Sequence, residues 1–160
     1  MPDKKISKKV IIYTDGAAKG NPGRSGWGAV FLMDGKVFEI GGEAEHATNN
    51  IMELTAPIEA FKYIKKNKLQ GEIEVVSDSK YVILGITEWI GNWQRNNWRN
   101  ANKKPVLNRE LWERLYELTE ELKPKWTYVK GHNEDKHNDR ADLIATSFAE
   151  GEPVELKSKK

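Results

Sequence analysis

An Asp34-Gly35 pair set between two apolar, β-rich runs, Gly26–Met33 and Lys36–Gly42, constrains this chain more than any other local feature. Asp-Gly accepts the positive φ angles of a two-residue hairpin turn, so the two runs are predicted to pair antiparallel. A third run, Lys9–Thr14, stops at Asp15-Gly16, another turn pair, and Lys19-Gly20-Asn21-Pro22-Gly23 is loop chemistry. The first part of the chain reads as a three-stranded antiparallel meander.

The period then changes. From Asn50 to about Lys66, Leu54, Ile58, Phe61 and Ile64 recur at helical spacing. Pro57 lies inside that helix and is expected to kink it, freeing the Glu53 carbonyl from its usual partner. Glu72–Ser77 reads as a short strand, and a helix follows from Ser79 to about Ile90. A further helix runs from about Asn108 to Leu122, with Leu111, Leu115, Leu118 and Leu122 on one stripe, and Pro124 ends it. Lys125–Val129 is a strand candidate and Asn138–Glu150 a final helix. A meander followed by this alternation predicts an α/β fold, a mixed five-stranded sheet of antiparallel meander plus parallel strands, flanked by helices. Ligands bind such sheets beyond the carboxyl ends of the parallel strands, and Asp15 and Asp78 lie at two such ends.

Composition narrows the function classes. With no cysteine in 160 residues, disulfides, cysteine zinc sites and a thiol nucleophile are excluded. The longest apolar runs fall far short of the ~20 residues of a bilayer span, and the lysine-rich N-terminus leads into no signal-peptide segment. No membrane association and a cytoplasmic protein are expected. The net charge of +2 decides nothing about nucleic acid, but its distribution does. Trp89 to Arg109 holds Arg95, Arg99, Lys103, Lys104 and Arg109, no acid, and three tryptophans. The last ten residues, ending Lys-Ser-Lys-Lys, read as a loose tail, as does the N-terminal segment.

Each candidate carboxylate has a sufficient local explanation when taken singly. Asp15 belongs to a turn pair, and Glu53 falls three residues after Asn50, as in a capping box. Asp78 or Ser79 is the expected cap of the next helix, while Asp139 and Asp142 suit the start of the last helix. What these explanations miss is convergence. Asp15 and Asp78 end neighbouring strands, and Glu53 and Asp142 can project from helix starts toward the same rim. Carboxylates crowded there repel by several kcal/mol unless a cation neutralises them. Oxygen ligands with no His/Cys cluster suit Mg²⁺ or Mn²⁺, and two such ions about 3.5–4 Å apart form the clamp for in-line phosphoryl displacement.

The motifs themselves go further. Tyr-Thr-Asp-Gly-Ala-Ala-Lys-Gly-Asn-Pro-Gly (13–23), Thr-Asn-Asn-Ile-Met-Glu-Leu (48–54), Ser-Asp-Ser-Lys-Tyr-Val (77–82), Val-Lys-Gly-His (129–132) and Asn-Asp-Arg-Ala-Asp (138–142) occur in that order. Together they resemble type 1 ribonuclease H of the bacterial kind, from about Val10 to Ala149. The resemblance implies a ribonuclease H-like fold: a catalytic domain over 10–150 with a basic handle at about 89–109, a flexible segment 1–9 and a tail 151–160. It also implies an endoribonuclease that hydrolyses the RNA strand of RNA–DNA hybrids, with water as nucleophile and two Mg²⁺ (or Mn²⁺) ions, leaving 5′-phosphate and 3′-hydroxyl ends. A monomer is expected.

On matching positions, Asp15, Glu53, Asp78 and Asp142 are the metal-binding catalytic carboxylates, and His132 is the loop histidine assisting proton transfer or product departure. His46 and His137 match no such position. Asn21, Asn49 and Asn50 fall where amides read 2′-hydroxyls in the minor groove, the group that distinguishes RNA from DNA. Thr48 and Asn108 match positions that hold a DNA-strand phosphate. Lys80 departs from the glutamine expected there but still suits a phosphate, and Asn133-Glu134-Asp135-Lys136 lacks the glycine-containing loop common in the family. Arg95, Arg99, Lys103 and Lys104 are expected to face nucleic acid and add salt-dependent affinity. Trp89 and Trp112 are expected to pack, and Trp93 and Trp98 suit either role. Two other readings stand beside the hydrolase: a hybrid-binding module without catalysis, and a DNA-directed enzyme on the same fold. The four acids argue against the first, and the asparagines against the second.

Overall fold

At the Asp34-Gly35 turn both φ angles are positive, 54° and 76°, and Met33 lies opposite Lys36 across the hairpin. This is a computed structural model, and it describes residues 8–131 and 135–158. The meander consists of β1 (Lys9–Ala18), β2 (Gly23–Met33) and β3 (Lys36–Ala47), all antiparallel. β4 (Glu72–Ser77) pairs parallel with β1, and β5 (Lys125–Tyr128) parallel with β4, giving the strand order β3-β2-β1-β4-β5.

β1 differs from the expected strand and turn. It continues through Asp15-Gly16 to Ala18, paired with β2 as far as Ser25. Gly16 serves close packing instead of a turn: a Cβ there would stand 2.5 Å from the Glu53 backbone nitrogen. The parallel pairing with β4 ends at Thr14 and Ser77, so Asp15 sits where β1 loses one neighbour and keeps the other.

Helices cover both faces. α1 (Asn49–Lys66) runs on through Pro57 and buries Leu54, Ile58, Phe61 and Ile64 against the sheet. It packs with α4 (Arg109–Leu122), whose Trp112, Leu115 and Leu118 are fully buried. The helix expected to stop near Ile90 extends to Arg95 as α2 (Lys80–Leu84), a π-helical turn over Gly85–Trp89, and α3 (Ile90–Arg95). Gly85 lies against Trp112 there, where a Cβ would come within 2.0 Å of the indole. α5 (Lys136–Ala149), which starts two residues earlier than expected, covers the opposite face, burying Ala141 and Ile144 against Val30.

Residues 151–158 are not loose. Val154 and Leu156 pack against the α5 face, and the Val154 N–H donates to Ser147 Oγ (3.1 Å). Among the described residues no helix is long and apolar enough to cross a membrane.

Candidate active site

Asp15, Glu53 and Asp78 each offer a carboxylate oxygen within 4.8 Å of the others. Their delivery follows from how the local caps are assigned. Thr48, not Asn50, caps α1, its Oγ1 accepting from the Ile51 N–H (3.1 Å), so Glu53 lies beyond the capping box and turns to β1. Ser79 caps α2 by accepting from the Val82 N–H (3.2 Å), which leaves Asp78 with no capping duty. At α5 the cap is Asp135, accepting from the His137 and Asn138 N–H groups. The α1 cap thus stands two residues earlier than expected, Ser79 is the one of the two expected α2 caps that serves, and Asp139 keeps its place in the first turn of α5.

Asp15 is buried, and its Oδ1 accepts from the Gly16 N–H (2.8 Å). Burial, and then the Asp78 and Asp142 charges, push its carboxyl up to about 8 despite that bond. Glu53 is raised well above the usual carboxylate range, first by burial and then by the Asp15 and Asp78 charges. Such a cluster stores repulsion that a hard divalent cation relieves, and its all-oxygen donor set suits Mg²⁺ or Mn²⁺. Asp142, in the second turn of α5, lies outside the three-residue group but close enough for its charge to act on Asp15. His132 lies outside the described residues.

Sequence reasoning passed over Asn138. It is buried, and its Nδ2 donates to Asp78 Oδ2 at 3.4 Å. The available signal was spacing: Asn138 precedes Asp142 by one helical turn, on the same face of α5.

The substrate candidates sit in the β1–β2 loop, at helix starts and in the handle. Asn21 Oδ1 accepts from the Asn49 N–H (3.0 Å), tying the β1–β2 loop to the start of α1 beside exposed Asn50. Asn108 has a left-handed backbone (φ 63°), and its Nδ2 donates to the Tyr81 hydroxyl (3.1 Å). Lys80 is exposed, its ammonium 5.6 Å from the Tyr128 ring. In the handle, Arg95, Arg99, Lys103 and Lys104 are all exposed. Trp98 is buried, with Arg109 stacked over its ring, and Trp93 packs against both Trp98 and Trp112. Packing therefore accounts for both tryptophans whose role the sequence left open.

Comparison with known proteins places the chain in a family. A model of the RNase H family matches residues 7–150. A ribonuclease H of Thermosynechococcus vestitus is 48% identical over 148 residues, covering 92% of each chain. A ribonuclease HI of Pseudomonas aeruginosa is 46% identical over 138 residues, covering 86% of this chain and 91% of that one. Among solved structures, LC9-RNase H1, a type 1 enzyme with the type 2 active-site motif, superposes with TM-score 0.80 at 25% identity over 94% of this chain and 76% of its own. LC11-RNase H1, solved in complex with RNA/DNA hybrid, gives TM-score 0.66 at 28% identity over 89% and 97%. Family model and bacterial relatives thus converge, and the chain belongs to the type 1 ribonuclease H family of endonucleases.

Proposed function

We propose that this chain hydrolyses the RNA strand of RNA–DNA hybrids, as a monomeric endoribonuclease of the cytoplasm, by a two-metal-ion mechanism. The observation that carries the reading is the approach of Asp15, Glu53 and Asp78 to within 4.8 Å on a ribonuclease H sheet. Asp15, Glu53 and Asp78, with Asp142 from α5, are the proposed holders of Mg²⁺, for which Mn²⁺ can substitute. Bound there, the ions would supply Lewis acidity to activate water and would neutralise the departing oxygen.

The chain's residues do the rest. Asp15 and Glu53 lie where water is scarce, which strengthens their hold on a cation once their protons leave. In the displacement, a water gives up a proton as its oxygen bonds to phosphorus, and the P–O3′ bond breaks. The 5′-phosphate stays on the downstream fragment, and the 3′-oxygen takes up a proton. His132 is the proposed carrier of that proton traffic, an imidazole being able to take up and release a proton near neutral pH. Asn21, Asn49 and Asn50 are assigned to 2′-hydroxyls and base edges in the minor groove, and Thr48, Asn108 and Lys80 to backbone phosphates. Thr48 accepts one bond as a cap and keeps its own O–H to donate. Arg95, Arg99, Lys103 and Lys104 are assigned to more distant phosphates.

The test uses end-labelled RNA–DNA hybrid, duplex RNA and duplex DNA, each with Mg²⁺, Mn²⁺ or chelator. The expected result is cutting confined to the RNA of the hybrid and lost with chelator. Hybrid binding without cutting would reduce the chain to a binding module, and cutting of duplex DNA would reassign its substrate.

A further inference from the structure

We propose that Arg140 is a positioning residue for Asp142: clamped to Glu39 and held by the C-terminal segment, it fixes the roll of α5 over the active site. The inference rests on the reading of Asp142 as a metal ligand.

The clamp joins parts of the chain far apart in sequence. Arg140 Nε donates to Glu39 Oε2 (2.8 Å) and Nη2 to Oε1 (3.0 Å), a bidentate pair between α5 and β3. The Glu39 side chain is 0% exposed. Its Oε1 also accepts the Lys157 N–H (2.9 Å), and Arg140 Nη2 donates to the Glu155 carbonyl (2.9 Å). The Glu39 N–H in turn donates to the Lys157 carbonyl (2.8 Å). Both ions of the pair are therefore locked to the same strap of backbone. A surface ion pair contributes little to stability, but a buried bidentate pair with its remaining valences filled is a geometric constraint.

The constraint is applied where the site needs it. Arg140 lies two residues before Asp142, so the two side chains leave α5 on opposite sides. On the sheet-rim side, Asn138 reaches Asp78. On the β3 side, Arg140 reaches Glu39. Two anchors on opposite flanks of one helical turn fix rotation about the helix axis, adding to the packing of Ala141, Ile144 and Phe148 on the sheet. A roll of roughly 10° moves a carboxylate at ~5–6 Å from that axis by about 1 Å. Displacements of about 1 Å at reacting groups cost on the order of 10²-fold in rate.

The experiment compares the wild-type chain with Asp142→Asn, Arg140→Gln, Arg140→Lys and Lys157→Pro, which removes the strap's N–H donor. Each is read for kcat and KM on a hybrid, and for Mn²⁺ affinity by calorimetry on the substrate-free protein. Circular dichroism at the assay temperature reports folding. Arg140→Gln is expected to lower kcat and Mn²⁺ affinity about 10- to 100-fold with KM little changed, as removal of a group supporting a ligand does. Arg140→Lys is expected to restore part of the loss, and Lys157→Pro to lie between it and wild type. Wild-type kcat and Mn²⁺ affinity in folded Arg140→Gln overturn the inference. Should Arg140→Gln not fold, wild-type values in both Arg140→Lys and Lys157→Pro overturn it equally. An Asp142→Asn protein that binds Mn²⁺ and cleaves normally overturns the ligand assignment as well. An impaired Asp142→Asn beside unaffected Arg140 variants overturns the clamp alone.

Discussion

Asp15 on β1 and Glu39 on β3 are both buried carboxylates of one sheet, yet their surroundings act on them in opposite directions. The charges acting most strongly on Asp15 are those of Asp78 and Asp142, and its proton is held up to about pH 8. Burial alone would raise Glu39 too, but two Arg140 hydrogen bonds and the Lys157 N–H outweigh it and hold that carboxyl below the usual range. Burying a charge is tolerated where partners are supplied and stores repulsion where they are withheld. The withheld partners leave the carboxylates to which the cation is proposed to bind, and the supplied ones tie β3 to α5.

The largest effect expected from breaking this contrast is on the unpartnered side. Asp15→Asn or Asp78→Asn should lower hybrid cleavage by about 10³-fold or more, the scale of losing several kcal/mol of transition-state stabilisation. Folding and hybrid binding should survive, as gel assays and circular dichroism would show; full activity would remove Asp15 from the metal site.

Glu39→Ala should act on stability. It strands Arg140, and losing one partner of a buried pair costs about 3–5 kcal/mol. Arg140 keeps 27% exposure, which places the expected cost near 3 kcal/mol in urea unfolding.

Replacing Arg95, Arg99, Lys103 and Lys104 together with alanine removes neither kind of buried carboxylate. Hybrid binding should weaken, and its salt dependence should flatten by about 0.7–0.9 for each phosphate left without its cation. An unchanged slope would return the handle to an ordinary solvated surface.

The smallest effect, and the one that sharpens the contrast most, is in the pH dependence of the metal-free protein. Folded Asp15 binds its proton more tightly than unfolded Asp15, so its contribution to stability is complete below about pH 4 and is lost as pH rises toward 8. Glu39 has the opposite sign, contributing above the ordinary glutamate pKa and losing that contribution as pH falls through its lowered value. In chelator, the thermal midpoint should therefore decline at both ends, and Mg²⁺ should restore the alkaline end only. A midpoint at pH 8 indifferent to Mg²⁺ would contradict the repulsion at Asp15.

Much of the fold was legible because its signals are local. The Asp34-Gly35 hairpin, the Leu115 and Leu118 stripe and the strand at Glu72–Ser77 each declare themselves within a few residues. Asp15-Gly16 misled for the same reason, since its glycine answers to Met52 and Glu53 of α1, a demand invisible in the pair itself. One cap misled in register only, since Thr48 stands two residues before Asn50, whereas Ser79 was one of the two caps expected for its helix. The clamp was illegible outright. Its partners Glu39 and Arg140 are 101 residues apart, and the strap that joins them has the composition of a tail.

The strap has one more consequence, for how copies of the protein meet each other. β3 is an outermost strand, and outermost strands carry rows of unpaired amides on which a second chain can add. Here the Glu39 amide and the Lys157 carbonyl are spent on each other. The segment around Lys157 thereby blunts the border along which sheet-to-sheet aggregation would begin, leaving the exposed charges of Lys36, Glu43 and Glu45 to guard the rest.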